Sequence, residues 1–136
     1  MKIKGQCLCG AITYESAAEP VTSAICHCRD CQRSTGSAFS LVTIVPAEGF
    51  NVTGEPKVVN TVGEDSGHEN DRAFCGDCGS PLWTVTPGFP GMMIIKSGTL
   101  DDTSWIEPQL EVWGRSAHSW VGDAPEGRVR MERGPA

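Results

Sequence analysis

A hydrophobic run long enough to cross a bilayer is missing from this sequence. The longest apolar stretches, at 39–45 and 92–95, are far shorter than the roughly 20 residues that a membrane-spanning helix needs. Residues 1–7 contain no apolar segment of the kind that a secretory signal peptide requires. We therefore expect no membrane partner and a cytoplasmic location, where cysteine thiols remain reduced.

A basic stripe is also missing. The chain has 11 Lys and Arg residues and 17 Asp and Glu residues, which give a formal net charge of -6. A general nucleic-acid binder needs clustered positive charge to neutralise phosphates, and the basic residues here are scattered. We therefore expect no nucleic-acid partner. The sequence does not decide whether the chain forms a homo-oligomer.

Long helical patterns are scarce, whereas turn residues are frequent. The 136 residues include 16 Gly and 9 Pro, and the apolar segments are short and rich in β-branched residues, as at 40–45. We predict a mainly β fold in a single domain, with short helical turns at 29–34 and 101–105. The domain is expected to occupy residues 1–122, and residues 123–136 are expected to form a polar C-terminal tail.

Cysteine is abundant for a chain with reduced thiols. All seven cysteines fall in three clusters, which are Cys-Leu-Cys at 7–9, Cys-His-Cys-Arg-Asp-Cys at 26–31 and Cys-Gly-Asp-Cys at 75–78. An odd number cannot pair completely as disulfides. Close pairs place thiolates around one ion more readily than they form unstrained disulfides. The spacing therefore predicts metal sites rather than incidental buried cysteines.

Ligand counting suggests how the cysteines divide. A structural zinc takes four protein ligands, whereas a catalytic zinc keeps three and an open position. A competing division would combine the first two cysteines of the middle cluster with the 75–78 pair, and would leave three cysteines unused. We favour the division into four and three. Its closed set is Cys7, Cys9, Cys75 and Cys78, and its open set is Cys26, Cys28 and Cys31.

Histidine 27 lies between two of these cysteines. Adjacent residues tend to point in opposite directions, so His27 is poorly placed to bind an ion that Cys26 and Cys28 hold. We interpret it as a residue behind the site, or an exposed one, rather than a ligand. For His118, close to Trp120 in sequence, packing is a more common role than lining a pocket.

Together, the motifs resemble a known family. The segments Gly-Gln-Cys-Leu-Cys-Gly at 5–10, 26–31, Gly-Ser-Ala-Phe at 36–39 and Phe-Cys-Gly-Asp-Cys-Gly-Ser at 74–80 resemble the glutathione-dependent formaldehyde-activating enzymes, a family that also contains centromere protein V. The resemblance extends to about residue 120. It implies a β-tent fold of small antiparallel sheets around two Zn²⁺ sites, one structural and one catalytic, with the same division of cysteines.

The resemblance also implies an activity. Members of the family are described as carbon–sulfur lyases that act on S-hydroxymethylglutathione, the adduct of glutathione and formaldehyde. The catalytic zinc ligands would be Cys26, Cys28 and Cys31, with a small thiol as substrate and glutathione as co-substrate. The chain departs from the family after Pro108. Many members carry histidine in a Pro-x-x-His stretch there, and Glu111 takes its place here.

Residues around the middle cluster are candidates for binding this substrate. A zinc ion with three thiolates favours a further soft donor, such as a thiol held as thiolate. Arg29 and Arg33 flank the cluster and could pair with the glutathione carboxylates, although solvated surface arginines are equally consistent with the pattern. Ser37 is a candidate hydrogen-bond donor to a developing oxygen, although a Ser-Thr-Gly-Ser run is more often just a turn.

Two other functions are consistent with the same residues. One is a non-enzymatic zinc-binding module in which both zinc ions are structural and the surface binds a protein. The other is a protein that binds thiols or a labile zinc ion without turnover. The lyase hypothesis expects two zinc ions, one of them easily removed, and loss of turnover in Cys28→Ser with the fold intact. The non-enzymatic module expects two tightly held zinc ions and no thiol binding. The third function expects glutathione to extract or replace the labile zinc without turnover.

Overall fold

The fold is mainly β, as predicted. The structure is a computed structural model and describes residues 2–134. Its strands are β1 (Ile3–Gln6), β2 (Thr13–Ser16), β3 (Thr22–Cys26), β4 (Ser40–Pro46), β5 (Phe50–Thr53), β6 (Lys57–Val62), β7 (Glu69–Phe74), β8 (Pro81–Val85), β9 (Met92–Lys96), β10 (Leu110–Val112) and β11 (Val129–Arg130). One α-helix, α1 (Arg29–Thr35), lies between β3 and β4, where the sequence predicts a helical turn. The second predicted turn, at 101–105, does not form a helix.

The strands form two sheets. The smaller sheet has the order β1-β2-β5, and the larger has the order β11-β10-β3-β4-β9-β8-β7-β6. Most neighbours are antiparallel, as expected, but β10 runs parallel to both β3 and β11. Strands of two and three residues carry too little side-chain alternation for the sequence to predict this pairing.

The smaller sheet packs on the larger one through a shared core. Ile3 and Tyr14 of the smaller sheet join Val45, Trp83 and Ile95 of the larger sheet in a single buried cluster. Tyr14 and Trp83 meet edge to face, with ring centroids 5.9 Å apart. The cluster also includes Cys7, near the N-terminus, and Cys75, from the middle of the chain, so one of the cysteine groups is part of the core.

Helix α1 is fixed at both ends by the residues that flank it. The Cys28 sulfur caps its first turn by accepting the backbone N–H of Cys31 at 3.3 Å. Gly36 ends the helix with a φ of 64°, and its N–H donates to the carbonyl of Gln32. Glycine adopts this left-handed conformation without the steric penalty of a Cβ atom.

The segment predicted as a polar tail is described as far as residue 134. Within it, β11 pairs with β10, and the N–H of Met131 donates to the carbonyl of Glu111 at 2.8 Å. The Arg128 side chain donates to the carbonyl of Pro108 at 3.0 Å. These contacts attach the segment to the end of the larger sheet. Among residues 2–134, no helix has the length and apolar character to cross a membrane.

Candidate metal centres and the cavities beside them

The closed set of cysteines comes together in space. The sulfur atoms of Cys7, Cys9, Cys75 and Cys78 all lie within 4.8 Å of one another. The Cys9 sulfur is 3.6 Å from that of Cys7 and 3.8 Å from that of Cys75. Four sulfurs bound tetrahedrally to zinc at ~2.3 Å would lie ~3.8 Å apart. The donor set and its spacing therefore fit Zn²⁺.

Two tight turns position this group. In the first, the N–H of Gly10 donates to the carbonyl of Cys7 at 3.2 Å, and in the second, the N–H of Gly79 donates to the carbonyl of Cys75 at 2.8 Å. Gly10 and Gly79 have φ angles of 80° and 79°, which favour glycine. Each turn places a pair of cysteines on the same side, so two pairs distant in sequence face one another.

The surroundings of this group favour the thiolate at Cys78 and the thiol at Cys9. The Ser80 hydroxyl lies 3.2 Å from the sulfur of Cys78. Together with the backbone N–H of Ser80, it lowers the pKa of Cys78 to about 5. The backbone N–H of Ala11 lowers the pKa of Cys9, but the hydrogen bond with Cys7 contributes to raising it to about 12. Cys7 and Cys75 are each only 1% exposed, so half of the group lies within the core.

The open set of cysteines also comes together, at the start of α1. The sulfurs of Cys26, Cys28 and Cys31 lie within 4.8 Å of one another, and no fourth histidine, cysteine, aspartate or glutamate joins them among the described residues. All three are partly exposed. A set of three soft donors with one free side fits a zinc ion with an open position. The competing division, which joins this cluster to the 75–78 pair, does not occur.

Negative charge is favoured in the open set. Hydrogen bonds from Cys26 and Cys28 lower the pKa of Cys31 to about 3, and the charges of Lys96 and Arg72 contribute to this shift. The same hydrogen bonds, from Cys28 and Cys31, raise the pKa of Cys26. The trio therefore holds one thiolate readily, and two nearby cations favour it.

Sequence reasoning missed Lys96. This lysine ends the apolar strand β9 and is only 9% exposed, and its Nζ donates to the Ser40 hydroxyl at 2.7 Å. Lysine at a strand end is usually solvated, so the position of Lys96 in the sequence does not predict its burial. The only signal in the sequence is a single charge directly after four apolar residues, 92–95.

The predicted substrate residues line one cavity. It has a volume of about 530 Å³ and lies against the outer side of α1. All three candidates, Arg29, Arg33 and Ser37, are on its wall, together with His118 and Trp120. The structure thus places two arginines on the helix that also carries Cys31, and the Ser37 hydroxyl just after the end of that helix.

A buried glutamine links this cavity to the cysteine segment. The Gln32 amide nitrogen donates to the carbonyl of His27 at 2.8 Å and to that of Ser116 at 3.2 Å. Its amide oxygen lies 3.1 Å from Nε2 of His118. Gln32 therefore holds α1 against the segment that follows β10, and it orients His118 at the cavity wall.

His27 and Glu111 belong to a buried hydrogen-bonded network behind the open set. Nε2 of His27 lies 2.6 Å from a carboxylate oxygen of Glu111, and the two side chains are 0% and 3% exposed. Arg130 and Arg128 donate to the same carboxylate at 2.9 and 3.4 Å. His27 is thus buried and lies outside both cysteine groups. Its Nδ1 has no hydrogen-bond partner within residues 2–134.

A second cavity, of about 340 Å³, lies beside this network. His27, Glu111 and the two arginines are on its wall, and Trp120 lines both this cavity and the larger one. Burial raises the pKa of Glu111, but the hydrogen bonds from His27 and Arg130 outweigh it, so the pKa is lowered overall. Glu111 is therefore an ionised, fully paired carboxylate.

The sequence matches the profile of a family described as "Glutathione-dependent formaldehyde-activating enzyme" over residues 2–116. This chain belongs to that family. A curated relative from Phaeosphaeria nodorum is 31% identical over 88 residues, which cover 62% of this chain and 45% of the relative. One from Aspergillus flavus is 26% identical over 109 residues, which cover 76% and 56%. Both relatives bear the family's name as candidate members.

The chain spans about half the length of these curated relatives. A crystal structure of a Rhodobacter sphaeroides protein matches the fold with a TM-score of 0.57 and 19% sequence identity. The match covers 77% of this chain and 91% of that one. Within this member of the glutathione-dependent formaldehyde-activating family, Glu111 is part of a buried ionic network at the position where the resemblance leads one to expect histidine.

Proposed function

We propose that this chain is a zinc-dependent carbon–sulfur lyase that acts on S-hydroxymethylglutathione or a closely related thiol adduct. The observation that carries the proposal is the open three-cysteine set at the start of α1, a helix that also lines a cavity with two arginines on its wall. Family membership supports the choice of a glutathione-derived substrate. In this proposal, the set of four cysteines binds a structural zinc.

The metal and the cavity would have separate tasks. A Zn²⁺ ion held by Cys26, Cys28 and Cys31 supplies a soft Lewis acid that favours the thiolate form of a substrate thiol. Arg29 and Arg33 pair with the substrate carboxylates and orient the molecule along α1. Binding of this kind lowers the barrier because the reacting atoms are held close together before the reaction.

The reaction itself needs few groups. In the lyase direction, the carbon–sulfur bond breaks with its electron pair moving to sulfur, the O–H electron pair forms the carbonyl of formaldehyde, and the hydroxyl proton passes to solvent. The thiolate product takes up a proton from solvent when it is released as the thiol. Ser37 is placed on the cavity wall, and we assign its hydroxyl to hydrogen-bond the hydroxymethyl oxygen. In the reverse direction, the same contacts hold formaldehyde beside the thiolate.

Metal analysis combined with exchange NMR tests this function. We expect two zinc ions per chain and an interconversion of glutathione plus formaldehyde with their adduct that is faster than the spontaneous rate. Cys28→Ser should remove one zinc and the acceleration while leaving the fold intact. Two firmly held zinc ions without acceleration would instead fit a non-enzymatic module, and zinc extraction by glutathione without acceleration would fit a labile-zinc protein.

A second experiment tests the assignment of the cavity. Arg29→Gln and Arg33→Gln should raise KM for the glutathione adduct by roughly tenfold, the effect of losing one charge-assisted contact of about 1.4 kcal/mol. The adduct of 2-mercaptoethanol has no carboxylate, so its kinetics should be unchanged. Arg133→Gln is the matched control because Arg133 is exposed and lies outside the cavity lining. Equal effects on both adducts would contradict carboxylate recognition.

A further inference from the structure

Lys96 is the buried cation that the proposed function leaves without a role. Its ammonium group is hydrogen-bonded to the Ser40 hydroxyl at 2.7 Å. In the described part of the chain, no carboxylate forms an ion pair with it. A buried charge is normally paired, because removing it from water is unfavourable. Some other negative group must therefore compensate Lys96.

Strand register shows which group this is. Lys96 lies opposite Val42 on β4, and two residues away Ser40 lies opposite Cys26 on β3. Residues two apart in a strand point to the same face of a sheet. Lys96, Ser40 and Cys26 therefore share one face, and the lysine side chain extends along it toward the open cysteine set.

A second cation lies on this face. Arg72 is opposite Thr84, and Thr84 is opposite Ile94, which is two residues before Lys96 in β9. Burial lowers the pKa of Lys96, as does the charge of Arg72, and the charges of Cys31, Cys26 and Cys28 offset this lowering only in part. The open set thus faces two positive charges, supplied by β9 and β7 of the larger sheet.

Formal charges show what these two cations can compensate. Three thiolates around a zinc ion leave one net negative charge, and a fourth sulfur donor bound as thiolate would leave two. Lys96 and Arg72 together balance the second case. With a neutral fourth donor, such as water, the single negative charge of the metal site would balance only one of the two cations.

We propose that Lys96, assisted by Arg72, is a specificity-determining residue that selects an anionic sulfur as the fourth donor of the open cysteine set. This inference rests on the proposed function and deepens it, since it identifies the groups that make a thiolate the preferred partner. It applies to any small thiol, because the cations act on the sulfur and not on the rest of the molecule.

Thiol binding to the cobalt-loaded full chain tests this role directly. The probe is 2-mercaptoethanol, which lacks the carboxylates that Arg29 and Arg33 would recognise, and the signal is the new sulfur-to-cobalt absorption. We expect Lys96→Met to bind the probe roughly tenfold more weakly at unchanged metal content, and Lys96→Arg to stay within about twofold of wild type. The matched control is Lys57→Met, since Lys57 lies against Gly76 beside the other cysteine group.

The outcomes separate this inference from the proposed function. Equal probe affinity in wild type and Lys96→Met would overturn the role of Lys96 and leave the lyase proposal standing. No new absorption in wild type would overturn both. Loss of metal from Lys96→Met would assign the lysine to holding the cysteines and would also overturn its role at the fourth donor. A second variant, Ser40→Ala, keeps the charge and should weaken the probe by only about two- to fivefold.

Discussion

The two cysteine groups use the same chemical donor in opposite settings. The group of four joins segments 66 residues apart and includes two cysteines that are each 1% exposed within the core. The group of three lies within six residues of sequence, is partly exposed, and faces two cations on the larger sheet. Burial and neighbouring charge, rather than ligand type, therefore distinguish the closed cysteine group from the open one.

The largest expected effect is on the closed group. Cys75→Ser should lower the free energy of unfolding by at least ~4 kcal/mol, because metal binding by a site that unites two distant segments is coupled to folding. Thermal unfolding followed by circular dichroism, together with zinc content, measures this. Cys28→Ser in the open group is the matched control and should change the melting temperature by only a few degrees. Equal losses of stability in Cys75→Ser and Cys28→Ser would contradict the assignment of a structural role to the closed group alone.

The next largest loss of stability is expected in the buried network of His27, Glu111 and two arginines behind the open group. Glu111→Gln should lower the free energy of unfolding by ~3 kcal/mol, because it leaves His27 and two arginines without their buried carboxylate. Urea unfolding measures the change. Glu15→Gln serves as the control, since Glu15 pairs with Lys2 at the surface and should contribute under ~1 kcal/mol. A loss below ~1 kcal/mol in the free energy of unfolding of Glu111→Gln would show that the network does not stabilise the fold.

The contribution of Glu111 to stability depends on pH. The pKa of Glu111 is lowered in the folded state, so its contribution is fully present above the ordinary value of 4.5 and is lost as the pH falls through the folded pKa. The difference in unfolding free energy between wild type and Glu111→Gln should therefore shrink steadily from about pH 4.5 downward. Urea titrations at several pH values measure it. A difference that grows in acid would contradict the assigned ionisation.

The smallest effect on stability is expected at the rim shared by the two cavities. Trp120 is 73% exposed, so Trp120→Ala should change the free energy of unfolding by no more than ~0.5 kcal/mol. It should nevertheless raise KM for the glutathione adduct a few-fold, because the indole lines the larger cavity. Steady-state kinetics and urea unfolding compare the two effects. A large loss of stability with unchanged KM would make Trp120 a packing residue.

Sequence predicted the cysteine groups well because their order and spacing are local facts. The same holds for α1, where Cys28 and Gly36 mark the ends of the helix. The long-range contacts were not predictable, because they depend on sheet register. The burial of Lys96 and the contact of Arg130 with Glu111 both follow from strands that meet only in the folded chain.

The separation of 66 positions between Cys9 and Cys75 also has a consequence for synthesis of the chain. At a translation rate of ~5–20 residues per second, the first pair waits roughly 3–13 seconds for its partners to be made. During that interval, Cys7 and Cys9 are exposed to oxidants and to competing metals. The three thiols at 26–31 have no such delay, so the nascent chain can complete its open group before its closed one.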